Sequence, residues 1–86
     1  MEKYKISVLC GANDYLVKFK ERFDMNKLKS FLSKKFKLGL ETESVLRFLN
    51  ENKIITVFDY GEIIFSGFEI DEVKKICDEI VKELNI

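Results

Sequence analysis

The sequence SVLRFLNENKIITVFDYGEIIFSGFEIDEVKKICDEIVKEL, residues 44–84, carries the strongest structural pattern in the chain. It contains three short apolar runs separated by turn-forming residues, at 44–49, 53–59 and 62–66. Runs of this length and spacing are typical of consecutive antiparallel strands. Gly61, in the second turn, is expected to supply the positive φ angle that a tight hairpin needs. The segment therefore predicts a three-stranded meander.

An amphipathic helix is predicted to follow the meander. Asp71 and Glu72 lie in its first turn and Lys82 lies near its end, which suits the helix dipole. Because the apolar residues follow i, i+3, i+4, i+7 spacing, they share one face, which is expected to pack on the sheet. These residues are Val73, Ile76, Cys77, Ile80, Val81 and Leu84.

Two further strands are predicted near the start of the chain. Residues 4–10 and 15–22 both alternate between two faces, and residues 11–14 form a turn that would join them as a hairpin. The second strand is expected to have an apolar face and a basic face. The apolar face consists of Tyr15, Val17 and Phe19, and the basic face of Leu16, Lys18, Lys20 and Arg22.

A first helix is predicted over residues 25–37. Asp24 can accept hydrogen bonds from the unpaired amides of the first turn, so it is expected to be the N-cap. Gly39 is expected to end the helix, and residues 41–43 to form a polar connector. The apolar stripe of this helix consists of Met25, Leu28, Phe31, Leu32 and Phe36.

The predicted element order is ββαβββα, and we expect one α+β domain over residues 1–86. Its two layers would be a curved, five-stranded antiparallel sheet and two helices on one face of that sheet. The other face would then have no helix against it. Because Ile54 and Phe58 alternate with the apolar residues Ile55 and Val57, that uncovered face is expected to be apolar too. Whether Ile64 joins it depends on the register of its strand.

Composition narrows the class of protein. The 86 residues are 47% hydrophobic and 35% charged, which excludes a disordered chain and predicts a packed core.

No apolar run has the roughly 20 residues that cross a bilayer, so a cytoplasmic protein without membrane contact is expected. Cys10 and Cys77 are expected to be buried thiols, since no CxxC spacing and no His accompany them. No metal or cofactor is predicted.

The charges are unevenly distributed, although the net charge is zero. Residues 1–37 contain ten basic and four acidic side chains, so they carry +6 and the remainder carries −6. Such asymmetry indicates either a nucleic-acid face or two parts that attract each other, within the fold or across a dimer.

The segments VLRFLNENK and IITVFDYGEIIFSG, with YLVKFKERFDMNKLKSFL upstream, resemble a half-repeat of the TATA-box-binding protein. The same fold occurs in the amino-terminal domain of type-3 ribonucleases H, and the likeness covers about residues 15–84. The resemblance implies a sheet face that binds the minor groove, with Phe wedges that unstack bases. Phe58 stands at one wedge position and Arg47 at that of a basic strand residue.

The chain also departs from this family. Glu43 or Ser44 stands at the partner wedge position, and Glu62 stands where the family has a basic residue. A single repeat would need a dimer to complete the saddle. The resemblance therefore implies the fold more strongly than TATA-box recognition.

The function predicted from these features is a small non-catalytic module that binds nucleic acid, DNA or RNA, through the uncovered sheet face. Basic side chains would meet phosphates and Phe58 would stack on bases or wedge between them. The candidate binding residues are Lys5, Lys18, Lys20, Arg22, Arg47, Ile54 and Phe58.

The alternative is a protein-interaction or adaptor domain, with the sheet face or edge buried against another protein or in a homodimer. An enzyme is not predicted. The sequence has no His, no glycine-rich phosphate loop, and no nucleophile at a recognisable distance from a base.

Overall fold

The computed structural model describes residues 3–9, 11 and 13–86, and it has an α+β architecture. Two helices accompany one antiparallel sheet, whose strands lie in the order β1-β2-β6-β5-β4-β3. The elements are β1 (Tyr4–Val8), β2 (Asp14–Phe19), α1 (Met25–Ser33), β3 (Lys37–Glu41), β4 (Val45–Asn50), β5 (Lys53–Phe58), β6 (Glu62–Ser66) and α2 (Ile70–Leu84).

The sheet has six strands, so the predicted five-stranded sheet and the order ββαβββα were wrong. Helix α1 ends at Ser33, not near residue 37. The amides of Lys35 and Phe36 both donate to the Leu32 carbonyl oxygen in the turn that follows. The chain then extends and pairs with β4 as the additional strand β3. Gly39, predicted to end the helix, lies at an irregularity within this strand. Pairing with β4 satisfies backbone groups of β4 that would otherwise form a sheet edge.

The first two strands are shorter than predicted. β1 ends at Val8, and Cys10, which was placed in this strand, lies outside the described residues. β2 ends at Phe19, so Lys20 and Arg22 are not strand residues. The Phe19 amide donates to the Gly61 carbonyl at 2.8 Å, and the Phe23 amide donates to the Asp59 carbonyl at 3.0 Å. These bonds direct the chain past the β5–β6 turn toward α1.

The helix and turn signals are otherwise confirmed. Asp24 caps α1, and its Oδ1 accepts the Lys27 amide at 3.3 Å. At the start of α2, the amide of the N-cap residue Glu69 donates to Glu72 Oε1 at 3.1 Å, as in a capping box. Gly61 has a φ angle of +110°, as the hairpin required.

The core lies between the two helices and one face of the sheet. Alternate residues of the four central strands point into it, and α1 and α2 cover them. Cys77 lies in this core, as predicted, and is fully buried. The largest buried side chains are Phe48, Phe65, Phe68, Leu28, Leu32, Leu46, Ile55, Ile63 and Ile80.

Candidate interface on the open sheet face

The second face of the sheet has no helix against it, and we call it the open face. The residues between the core positions of each strand point to it, because side chains alternate along a strand. The sequence-based prediction that this face is apolar is confirmed. Its apolar side chains are Leu16, Leu40, Val45, Leu49, Ile54, Phe58 and Ile64.

These apolar side chains are neighbours across the strands. Leu49 lies opposite Ile54, Val45 lies opposite Phe58, and Leu16 lies opposite Ile64. Directly opposed side chains have Cβ atoms about 4.5 to 5.5 Å apart, within contact distance of one another. Ile64 lies diagonal to Ile54 and Phe58 on the neighbouring strand, which joins the pairs into one patch. With Leu40 the patch extends from β2 to β3.

Three members of the patch are large side chains that remain exposed. Leu40 is 43% exposed, Leu49 is 39% exposed and Ile54 is 37% exposed. A single exposed apolar residue is ordinary, but a contiguous group on one face usually indicates an interaction site. Thr56, between Ile64 and Arg47 in the same row, is nearly buried at 9%.

The predicted basic residues occupy two separate places. Lys5 and Lys18 are opposite each other on β1 and β2, and with Lys20 they line a shallow cavity of about 430 Å³. Arg47 lies on β4, three strand spacings from β2, which corresponds to roughly 14 Å. Arg47 lies within the apolar patch, between Val45 and Leu49 on β4 and opposite Leu40 on β3, whereas the lysines lie at the β1–β2 margin of the patch.

Two of the predicted phosphate contacts are already in ion pairs. Lys18 Nζ lies 3.8 Å from Glu62 Oε2 on the neighbouring strand. Arg22 donates to Asp59 Oδ2 at 3.1 Å, beside the β5–β6 turn. These pairs are solvent-exposed, so each is weak. Within the described part of the chain, Lys5, Lys20 and Arg47 form no ion pair.

Phe58 is partly buried at the end of β5. Its ring stacks on Tyr60 with 5.7 Å between ring centroids and an interplanar angle of 28°. Tyr60 is 54% exposed in the turn that follows. Glu62 lies directly opposite Phe58, so this aromatic pair has a carboxylate beside it.

Five residues of the patch were absent from the predicted site: Leu16, Leu40, Val45, Leu49 and Ile64. The alternation that identified Ile54 also applies to Val45 and Leu49, since Leu46 and Phe48 between them are core residues. Leu16 was placed on the correct face but was not included in the site. Leu40 could not be found, because its strand was predicted to be a helix end and a connector.

The charge asymmetry is satisfied largely within the fold. Of the five ion pairs among the described residues, four join a cation of residues 1–37 to an acid of residues 38–86. They are Lys18–Glu62, Arg22–Asp59, Lys29–Glu41 and Lys35–Glu79. The asymmetry alone therefore requires neither nucleic acid nor a dimer.

The described residues also provide information on metal binding, thiol reactivity and membrane-spanning helices. Residues 3–9, 11 and 13–86 contain no group of three or more His, Cys, Asp or Glu side chains placed to hold a metal ion. Burial, with a smaller effect from Asp78, raises the pKa of the Cys77 thiol far above its ordinary value. Cys77 is therefore a protonated core residue. Neither helix combines the length and apolar composition of a membrane span in the part of the chain described.

No family model, curated protein or solved structure matches this chain.

Proposed function

We propose that this chain is a non-catalytic protein-interaction module that uses its open face to form a homodimer. The observation that carries the proposal is the patch of seven apolar side chains, three of them large and more than one-third exposed. Its members are mostly aliphatic. Aliphatic side chains pack well against another apolar surface but provide no ring on which a base can stack.

The arrangement of the face also suits a protein interface. An apolar surface with charged residues at its margin, here Lys5, Lys18 with Glu62, and Lys37, is the usual anatomy of such an interface. Arg47 lies within the patch, and arginine is the charged residue that is enriched in protein interfaces. The molecule measures 33 × 30 × 19 Å. Its broad side can accommodate the roughly 800 Å² that each partner buries in a stable interface. A second copy is the proposed occupant because two-fold homodimers are the commonest soluble assemblies.

Light scattering of the purified chain tests this proposal. We expect a mass twice the 10.1 kDa of one chain. The double substitution Leu49→Lys with Ile54→Lys changes an opposed pair of the patch. It should give a folded monomer, because dimerisation would bury two unpaired charges. The matched control, Asn26→Lys with Ser30→Lys, adds the same charge to the exposed side of α1 and should remain dimeric. A monomeric parent protein would contradict the proposal.

Nucleic-acid binding by the same face is a second candidate. It is favoured by the three cations without an ion pair among the described residues, Lys5, Lys20 and Arg47, and by the stacked Phe58–Tyr60 rings. The aromatic pair would contact bases and the cations would contact phosphates. We also propose that residues 15–84 resemble a half-repeat of the TATA-box-binding protein, and this resemblance supports nucleic-acid binding.

Fluorescence titration distinguishes the two candidates. Single-stranded, duplex and hybrid oligonucleotides are each titrated at low and moderate salt. Nucleic-acid binding predicts an affinity that falls with salt and is lost in Lys18→Glu with Lys20→Glu. The absence of binding at low salt, or an unchanged affinity in that variant, would eliminate the second candidate.

A further inference from the structure

Strand β1 forms one edge of the sheet, with no described strand beyond it. The Leu9 amide donates to the Asp14 carbonyl on β2 at 2.9 Å. Hydrogen-bonding direction alternates along an antiparallel strand, so the amides and carbonyls of Ile6 and Val8 point away from β2. The edge therefore offers backbone donors and acceptors in a row, as a template for one more strand.

This edge differs from the one at the other side of the sheet. The register of β1 with β2 is unbroken over five residue pairs, whereas that of β3 with β4 is interrupted between Leu38 and Leu40. An irregularity of that kind twists an edge and makes it a poorer template. Val8 on β1 is also 66% exposed, so an apolar side chain accompanies the regular backbone.

A cavity of about 700 Å³ lies beside the same edge, between β1 and α2. The Tyr4 hydroxyl bridges the two elements and donates to Asp78 Oδ1 at 2.6 Å. A strand added to β1 would lie about 4.8 Å further out, with alternate side chains directed toward the helix side. Those side chains would enter the cavity. Its lining residues are Lys3, Tyr4, Lys5, Ile6, Lys74, Asp78 and Val81.

The charges of the cavity indicate what it would accept. Lys3 and Lys74 are basic, and among the described residues neither is in an ion pair. The side chain of Lys5 lies on the open face opposite Lys18, so its charge points away from α2. The one carboxylate of the lining, Asp78, already accepts the Tyr4 hydroxyl. The lining therefore has an excess of positive charge around an apolar surface made by Ile6 and Val81, both partly buried.

We propose that the groove between β1 and α2 binds an extended acidic peptide segment of another protein by strand addition. The peptide backbone pairs with Ile6 and Val8, an apolar side chain contacts Ile6 and Val81, and carboxylates lie near the lysines. In strand addition the backbone bonds provide affinity and the pocket for alternate side chains provides selectivity. The groove is separate from the open face, so this proposal does not depend on the proposed dimer.

Fluorescence anisotropy with a labelled peptide of about eight residues, alternating Glu and Val, tests the proposal. We expect saturable binding, and none by a peptide alternating Lys and Val. Two N-methylated versions separate strand addition from charge attraction. Only one set of alternate peptide amides pairs with β1, so methylating that set should abolish binding and methylating the other should preserve it.

The protein variant is Lys3→Glu with Lys74→Glu, and we expect the affinity for the acidic peptide to fall about tenfold or more. Lys27→Glu with Lys34→Glu is the matched control. It makes the same charge change at exposed positions on α1 and at its C-cap, and it should leave the affinity unchanged. NMR shift perturbations should lie at Ile6, Val8, Lys74 and Val81.

Four results of the peptide experiments would overturn the proposal. They are the absence of binding by the acidic peptide, equal binding of the basic peptide, equal effects of the two methylation patterns, and perturbations confined to the open face. Pairing of β1 with β1 of a second copy would also overturn it. That outcome would appear as the same Ile6 and Val8 perturbations on raising the protein concentration without peptide.

Discussion

Gly61 occupies a backbone position that no other residue can take without rearrangement. Its φ angle is +110°, and a Cβ atom there would lie 2.7 Å from the Glu21 carbonyl oxygen and 3.2 Å from that of Phe19. Both neighbours belong to the backbone and cannot rotate away. The Gly61 carbonyl also accepts the Phe19 amide, so the turn and the end of β2 are joined at this point.

We expect Gly61→Ala to lower the free energy of unfolding by about 3 kcal/mol, because backbone strain and a steric clash both oppose the native turn. Urea denaturation monitored by circular dichroism measures this loss. Gly11→Ala is the control. Gly11 has a φ angle of +69°, and a Cβ atom there would have no heavy atom within 4 Å, so only strain of about 1 kcal/mol is expected. Equal losses would contradict the steric explanation.

Cys77 provides a test of core burial at a single side chain. Burial raises the pKa of its thiol and Asp78 adds to the effect, so the reactive thiolate is strongly disfavoured. In a Cys10→Ser background, we expect a thiol reagent to modify Cys77 only as fast as the protein unfolds. Modification of the native protein at the rate of an exposed thiol would show that the α2 face is accessible.

At the scale of elements, the sequence pattern was sufficient to predict a helix or strand wherever its apolar spacing was long and regular. Helix α2 and the meander β4-β5-β6 were predicted within about two residues of their bounds. β3 was not, because Phe36 continues the apolar spacing of α1 and Gly39 is a plausible helix stop. The competing influence is tertiary: Phe36 packs against Phe68, with 6.0 Å between centroids, and the following residues pair with β4. A single-sequence pattern carries no record of that pairing.

The start of α2 should make stability depend on pH. Glu72 accepts hydrogen bonds from Lys53 and from the Glu69 amide, which lower the pKa of its carboxyl. A carboxyl with a lowered pKa in the folded state stabilises the fold above its unfolded pKa. That contribution disappears as pH falls through the folded pKa.

Glu72→Gln should therefore destabilise the protein near neutral pH, by less than about 1 kcal/mol because the pair is solvent-exposed. Urea midpoints of the two proteins should converge in acid, below the folded pKa of Glu72. The control is Glu83→Gln, on the exposed side of the same helix, which should show a smaller difference near neutral pH. A Glu72→Gln effect that persisted unchanged in acid would contradict this explanation.

At the scale of the whole molecule, the sequence correctly indicated two apolar sides for one sheet and helices for only one of them. Alternation placed Ile54, Phe58 and Lys18 on the open face without a structure, and the family resemblance implied a site for Arg47. Alternation could not determine the relative position of the strands, so it did not show that Arg47 is separated from Lys18 by two strands. It also could not show that Lys18 and Arg22 pair with acids distant in sequence.

The proposed use of the open face is tested most directly by isotope-filtered NMR on a mixture of labelled and unlabelled chains. Nuclear Overhauser effects in this experiment arise only between different copies. We predict intermolecular contacts of the Leu49, Ile54 and Ile64 methyl groups, and their loss in Leu49→Lys with Ile54→Lys. Intermolecular contacts from α2 or β1 alone, or none at millimolar concentration, would contradict the proposed dimer.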